Sequence, residues 1–193
     1  MASAEALSAD VLKVIADQIG ERLTGHSQRA LSSGQALEIA ESFPIWMIGL
    51  SATADPAVSL QLSAEPTGYW HHQIHHNRQP VEFAKSRSTG PNAKDWRVEE
   101  IVTSQIAARV DAAIRWLDNN LHSEDVVRLL VIPAYFVQAF WIVEALGNRI
   151  LLIDRPASLS MLEYERLYPE REFFKVLSQQ PHVVGIPPEQ PGR

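Results

Sequence analysis

Residues 129–143 read LLVIPAYFVQAFWIV and carry no formal charge. A helix that spans a bilayer needs about twenty apolar residues, so this shorter stretch is expected to lie in a protein core. Pro133 and Gly147 are typical of the start and the stop of a helix. However, most of the side chains between them prefer strands, and a helix here would have almost no polar face. We therefore favour a strand over residues 134–146 that is kinked at Pro133.

The rest of the chain divides into helical and strand patterns around this segment. Apolar residues recur at helical spacing over 96–120, as at Val98, Val102, Ile106 and Val110, which predicts a long helix. The other predicted helices cover residues 8–24 and 35–42. Helical turns are predicted over 160–179, with a break at Tyr168 and a new helix from Pro169. Strands are predicted at residues 44–52, 58–62, 68–76, 80–88, 126–132 and 150–154, with 68–76 and 80–88 forming a hairpin.

This order predicts a single α+β domain over residues 1–180. Short connections between neighbouring strands favour a mainly antiparallel sheet of about six or seven strands. The long helix, about residues 96–120, and the N- and C-terminal helices are expected to pack on one face of that sheet. The proline-rich residues 181–193 predict an extended or disordered tail.

Composition narrows the classes of protein that fit. Hydrophobic residues make up 46% of the chain and charged residues 21%, which are ordinary values for a globular domain. The formal net charge of −6 argues against broad binding to nucleic acid. The chain has no cysteine, which excludes a disulfide scaffold and fits a reducing compartment. We expect a cytoplasmic protein with no secretory signal and no membrane span.

Familiar catalytic and cofactor motifs are missing from the sequence. The segment around Arg87 lacks the phosphate-binding frame G-x-x-x-x-G-K-[ST]. The chain also contains no dinucleotide-binding G-x-G-x-x-G after a strand and no nucleophile elbow G-x-S-x-G. We therefore predict no bound cofactor and assign no catalytic residue, and a non-catalytic role is favoured.

Four histidines lie within six residues, at His71, His72, His75 and His76. On a helix their i,i+4 spacing would suit a metal ion. On a strand, positions i and i+4 lie about 13 Å apart and adjacent side chains point to opposite faces. Since the flanking sequence favours a strand, we expect structural or solvent-facing histidines, with a metal site or a pH-responsive surface as alternatives.

The aromatic residues Tyr135, Phe136, Phe140 and Trp141 suggest either a core strand or an interface. If helices cover only one face of the sheet, a strand that is apolar on both faces needs a partner on the other face. The favoured function is therefore a non-catalytic protein-interaction module (an adaptor, assembly factor or chaperone) that self-associates. The order helix, strands, helix, strands, helix resembles that of type III secretion chaperones and roadblock-type dimerisation domains.

Two other functions remain open. The first is a small-molecule-binding protein or an enzyme with its site between the sheet and the long helix. Its candidate pocket residues are His72, His76, Arg87 and Tyr135. The second is a metal-binding protein that uses the hairpin carrying His71 and His76.

Overall fold

The structure is a computed structural model of the chain. It describes residues 6–26, 37–53, 57, 59–76, 79–120, 125–144 and 147–181. The predicted tail therefore lies outside the described residues, apart from Pro181.

One mixed sheet forms the centre of the described molecule. Its strands are β1 Leu37–Ile48, β2 Ala64–His76, β3 Gln79–Ser88, β4 Trp96–Thr103, β5 Val126–Ile132, β6 Val137–Glu144, β7 Gly147–Asp154 and β8 Leu167–Pro169.

The sheet consists of two antiparallel halves joined at their first strands. Its strand order is β4-β3-β2-β1-β5-β6-β7-β8. β1 and β5 run parallel, with Met47 opposite Val131, and the other pairs are antiparallel. Each half is a run of consecutive strands, since antiparallel neighbours need only short connections. The predicted α+β class and the mainly antiparallel sheet are confirmed, with eight strands in the described chain.

Helices lie on both faces of this sheet. The helices are α1 Ala9–His26, α2 Leu50–Thr53, α3 Leu60–Ser63, α4 Gln105–Asn120 and α5 Glu170–Ser178.

One face, here the α4 face, packs Phe43, Leu129 and Phe140 against Val110 and Leu117 of α4. The opposite face, here the α1/α5 face, is covered in two places. The apolar stripe of α1 packs against β2, β3 and β4, and α5 packs against β6 and β7. The expectation that helices cover a single face is therefore wrong. The domain has three layers, which hide apolar side chains on both sides of the sheet.

The strand predicted over residues 134–146 is confirmed for Val137–Glu144, and both of its faces are buried. Residues 134–136 lie instead in the turn before it. Pro133–Tyr135 form one 3-10 turn, and β6 begins directly after Phe136. Trp141 points to the α1/α5 face, whereas Phe140 and Ile142 point to the α4 face. Since the chain covers both faces itself, the apolar character of β6 needs no partner to explain it.

The long helix starts at Gln105, and the predicted helix over residues 96–120 is wrong for its first part, which is strand β4. A β-bulge explains the misleading pattern. Ser86 pairs with Val98 and Lys85 pairs with Glu100, so Glu99 is an extra residue. The bulge brings Val98 and Ile101 to the same face of the sheet. Their spacing of three residues imitates a helix.

Three shorter predictions also need correction. Residues 37–42 of the predicted helix 35–42 belong to β1, where they pair with β2. Residues 60–62 of the predicted strand 58–62 lie in α3, and the carboxylate of Glu170 accepts a hydrogen bond from the Leu60 amide at 2.5 Å. Of the helical turns predicted over 160–179, the helix expected from Pro169 is confirmed as Glu170–Ser178, whereas Leu167–Pro169 pair with β7 as a strand. In each case long-range contacts override the local pattern.

Candidate interaction surface

A groove lies open on the part of the α4 face that α4 leaves uncovered. Its floor comes from the parallel strands β1 and β5, where Ile45 is opposite Leu129 and Met47 is opposite Val131. Its volume is about 730 Å³, and its described lining includes no residue of α4. Met47 is 42% exposed, which is unusual for an apolar side chain in a central strand. We call this surface the open groove.

The wall of the open groove depends on an irregularity in β2. The pairing register between β1 and β2 shifts between Pro44 and Trp46, and Gly68 has φ +76°. A residue with a side chain is strained in this conformation, so glycine is favoured. After the bend, the Thr67 hydroxyl donates to the Ile45 carbonyl at 2.8 Å, and Tyr69 lines the groove. The local sequence therefore shapes this wall.

The rim of the open groove carries charges of both signs. Lys85 Nζ lies 2.9 Å from Glu100 Oε2, and Arg87 Nε lies 2.5 Å from Glu99 Oε1. The Tyr69 hydroxyl donates to Glu99 Oε2 at 3.2 Å. The rim is therefore locally neutral, with two cations beside two anions. An apolar floor within a charged rim is the usual arrangement of a protein interface.

Phe136 is a second exposed apolar residue and lies in the turn between β5 and β6. It is 57% exposed and has φ 51°, in the left-handed region. Gln138, two residues later, lines the groove. An exposed large aromatic side chain on a strained backbone contributes little to folding, and such strain tends to occur at functional positions. Phe136 is therefore an exposed aromatic residue two positions before a residue of the groove lining.

The four predicted interface residues occupy different environments. Tyr135 and Trp141 are buried in the core of the α1/α5 face, and Phe140 is buried under α4. Phe136 lies at the surface. The sequence pattern did not single out Met47, because one methionine within the apolar run of β1 has no distinguishing signal.

The predicted pocket residues are not brought together. His72 and Tyr135 are buried, Arg87 is on the rim of the open groove, and the side chain of His76 lies outside the described part. A pocket of about 220 Å³ does lie between α4 and β7, lined in part by Trp116 and Tyr164. A ligand site between the sheet and the long helix stays a prediction.

The histidines of β2 belong to separate environments, as their positions on a strand require. His71 stacks on Phe83 with ring centroids 4.8 Å apart, beneath the open groove. His72 faces the opposite side and bridges the hydroxyls of Ser42 and Ser86 at 2.8 and 2.7 Å. His75 Nε2 lies 2.9 Å from Asp111 Oδ1 of α4. Among the described side chains, no group of three or more potential ligands is arranged to hold a metal ion.

Burial keeps two of these histidines uncharged near neutral pH. Burial lowers the pKa of His71 to about 4. The hydrogen bond with Gln73 opposes this shift, and the nearby charge of Lys85 adds to it. Burial also lowers the pKa of His72 to about 3, with the neighbouring His71 as a smaller cause. Both side chains are therefore neutral components of the sheet, which is consistent with the structural role predicted for them.

Comparison with known proteins identifies no relative of this chain. No protein-family model, curated protein or solved structure matches the chain. Within the part of the chain that the structure describes, no helix is both long enough and apolar enough to cross a membrane. Arguments about function therefore rest on the geometry above.

Proposed function

We propose that the chain is a non-catalytic protein-interaction module, of the adaptor, assembly-factor or chaperone kind, and that it self-associates through the open groove. The observation that carries this proposal is the uncovered part of the α4 face, where Met47 is exposed in the middle of an apolar floor. The argument that predicted self-association from β6 no longer applies, because both faces of β6 are covered. The proposal rests on a different surface.

Charge favours a second copy of the chain as the occupant of this groove. The chain carries a formal net charge of −6, so two copies repel each other on average. The rim is locally neutral and offers Lys85 and Arg87 beside Glu99 and Glu100. In a two-fold contact the same patch faces itself, which requires it to be self-complementary. A rim with both signs of charge meets this requirement.

The two edges of the sheet are less accessible than the open groove for association of two copies. Sheet proteins also associate edge to edge. The terminal strand β8 has three residues, and side chains of α1 occupy backbone groups of the other terminal strand, β4. Contact through the open face is therefore the favoured route. The cytoplasmic location stays a prediction.

Sedimentation velocity from low to high micromolar concentration tests the proposal. The wild-type chain is expected to form dimers as concentration rises. Met47→Lys places a charge on the apolar floor and is expected to weaken association at least about tenfold. Leu62→Lys is the matched control, because Leu62 is 89% exposed and lies outside the groove. A wild-type chain that stays monomeric contradicts the proposal, as does an equal effect of Leu62→Lys.

A mixing experiment separates contact between copies from contact within one copy. Lys85→Glu makes the rim acidic and Glu100→Lys makes it basic, so each variant alone should remain monomeric through like-charge repulsion. An equimolar mixture of the two variants should associate, because the opposite charges then lie on different molecules. A mixture as monomeric as its components would rule out the two-fold contact.

A further inference from the structure

β4 is the longer of the two terminal strands of the sheet. β4 has eight residues and is the terminal strand of its half. Backbone groups in an antiparallel pair point alternately towards and away from the neighbouring strand. The Thr89 amide donates to the Asp95 carbonyl at 3.0 Å, so the backbone groups of Trp96 and Val98 point away from β3. These outward groups could bond to an added strand.

The side chain of Gln18 in α1 occupies this edge. Its amide nitrogen donates to the Trp96 carbonyl at 2.9 Å, and its amide oxygen accepts from the Val98 amide at 2.9 Å. In an added antiparallel strand, the N–H of one peptide group and the C=O of another would make the corresponding two hydrogen bonds. One turn later in α1, Arg22 Nη1 donates to the Glu99 carbonyl at 3.1 Å. Two consecutive turns of α1 therefore cover the backbone of β4.

The bonds to the edge are separate from the contacts that hold α1 on the sheet. α1 is anchored by its buried stripe of Val11, Ile15, Ile19 and Leu23, which packs on the α1/α5 face. Gln18 is not part of that stripe. Its amide can therefore be replaced while the helix stays in place.

We propose that the outer edge of β4 is a strand-pairing surface for β4 of a second copy of this chain, and that Gln18 and Arg22 keep it closed. Antiparallel pairing about a two-fold axis at Val98 places Arg97 of one copy opposite Glu99 of the other. Opposite charges at facing positions support such pairing. The edge shares Glu99 with the rim of the open groove, where its carboxylate contacts Arg87 and Tyr69. The proposal does not depend on the proposed function.

Gln18→Met tests the proposal, because methionine has a similar length and makes no amide hydrogen bonds. In dilute solution the Val98 amide should exchange hydrogen at least about tenfold faster than in the wild-type chain. At higher concentration the variant should form new dimers, and protection of Val98 should return. Lys13→Met is the matched control, since it adds the same side chain at an exposed position of α1, and it should change neither measurement.

The double variant Gln18→Met/Met47→Lys distinguishes the edge from the groove. The new dimers should persist in it, whereas dimers made through the groove should disappear. Three results would overturn the proposal: unchanged protection of Val98, faster exchange without new association, or dimers that vanish in the double variant. If Gln18→Met fails to fold, Gln18→Leu also removes both amide hydrogen bonds, and the same measurements decide.

Discussion

Acidification from pH 7 to pH 4 should lower the free energy of unfolding by about 6 kcal/mol, through His71 and His72 alone. Burial holds their folded pKa values near 4 and 3, below the ordinary 6.5. Between these values the unfolded chain binds more protons than the folded chain, so stability falls as pH falls. Each histidine accounts for about 3 kcal/mol over this range. Globular domains have about 5–15 kcal/mol in total.

Two carboxyl groups with shifted pKa values, Glu41 and Asp95, also contribute to the pH dependence of stability. Burial, and then repulsion from Asp118, raise the pKa of Glu41, so acidification relieves a cost at that position. The backbone amide and side chain of Asn92 lower the pKa of Asp95, which therefore loses favourable bonds on acidification. Asp95 is exposed, and its effect is small beside that of the histidines.

Urea unfolding at a series of pH values measures this effect. The free energy of unfolding should fall most steeply below pH 6.5, by up to about 2.7 kcal/mol per pH unit when two protons are taken up on unfolding. His71→Gln removes one of these titrating groups and should roughly halve the slope. His72→Gln should do the same, at the additional cost of disturbing its bonds to Ser42 and Ser86. If neither variant changes the slope, the histidines are not its cause.

The second large effect concerns the aromatic residues around β6. Trp141→Ala should destabilise the chain by about 3–5 kcal/mol, since Trp141 is 1% exposed and its loss leaves a cavity in the core. Its ring also meets Trp46 edge-on at 5.5 Å and lies 4.7 Å from the Arg128 guanidinium. Removal of these contacts adds to the loss of stability.

Phe136→Ala is the matched control for this variant, because Phe136 is a neighbouring aromatic residue at the surface. Its free energy of unfolding should change by less than about 0.5 kcal/mol. Chemical denaturation of the two variants gives both values. A large loss for Phe136→Ala, or a small one for Trp141→Ala, would contradict the division of the aromatic run into core and surface residues.

Local patterns in the sequence predicted much of the fold. The apolar stripe of α1, the β2–β3 hairpin and strand β5 lie close to their predicted positions. Strand-preferring side chains outweighed the helix signals at Pro133 and Gly147, and residues 137–144 are indeed strand. These elements have a period, or a residue preference, that needs no knowledge of distant partners.

The errors occur where distant residues decide the structure. The bulge at Glu99 gives the apolar residues of β4 a helical spacing, although β4 pairs with β3 as a strand. Residues 37–42 became a strand because β2 lies alongside them. The candidate surface was missed for the same reason. Met47 is exposed because α4 does not extend over it, and no local sequence pattern around Met47 indicates this.

The sequence by itself determined the fold class, the absence of thiol chemistry and the pleated state of β6, because composition and side-chain preference act locally. Only the tertiary structure decided which apolar residues remain exposed. Tyr135, Phe136, Phe140 and Trp141 are equivalent in the sequence, yet three are buried and one is at the surface. Burial depends on the packing of helices that are distant in the chain, so it can be seen only in the folded molecule.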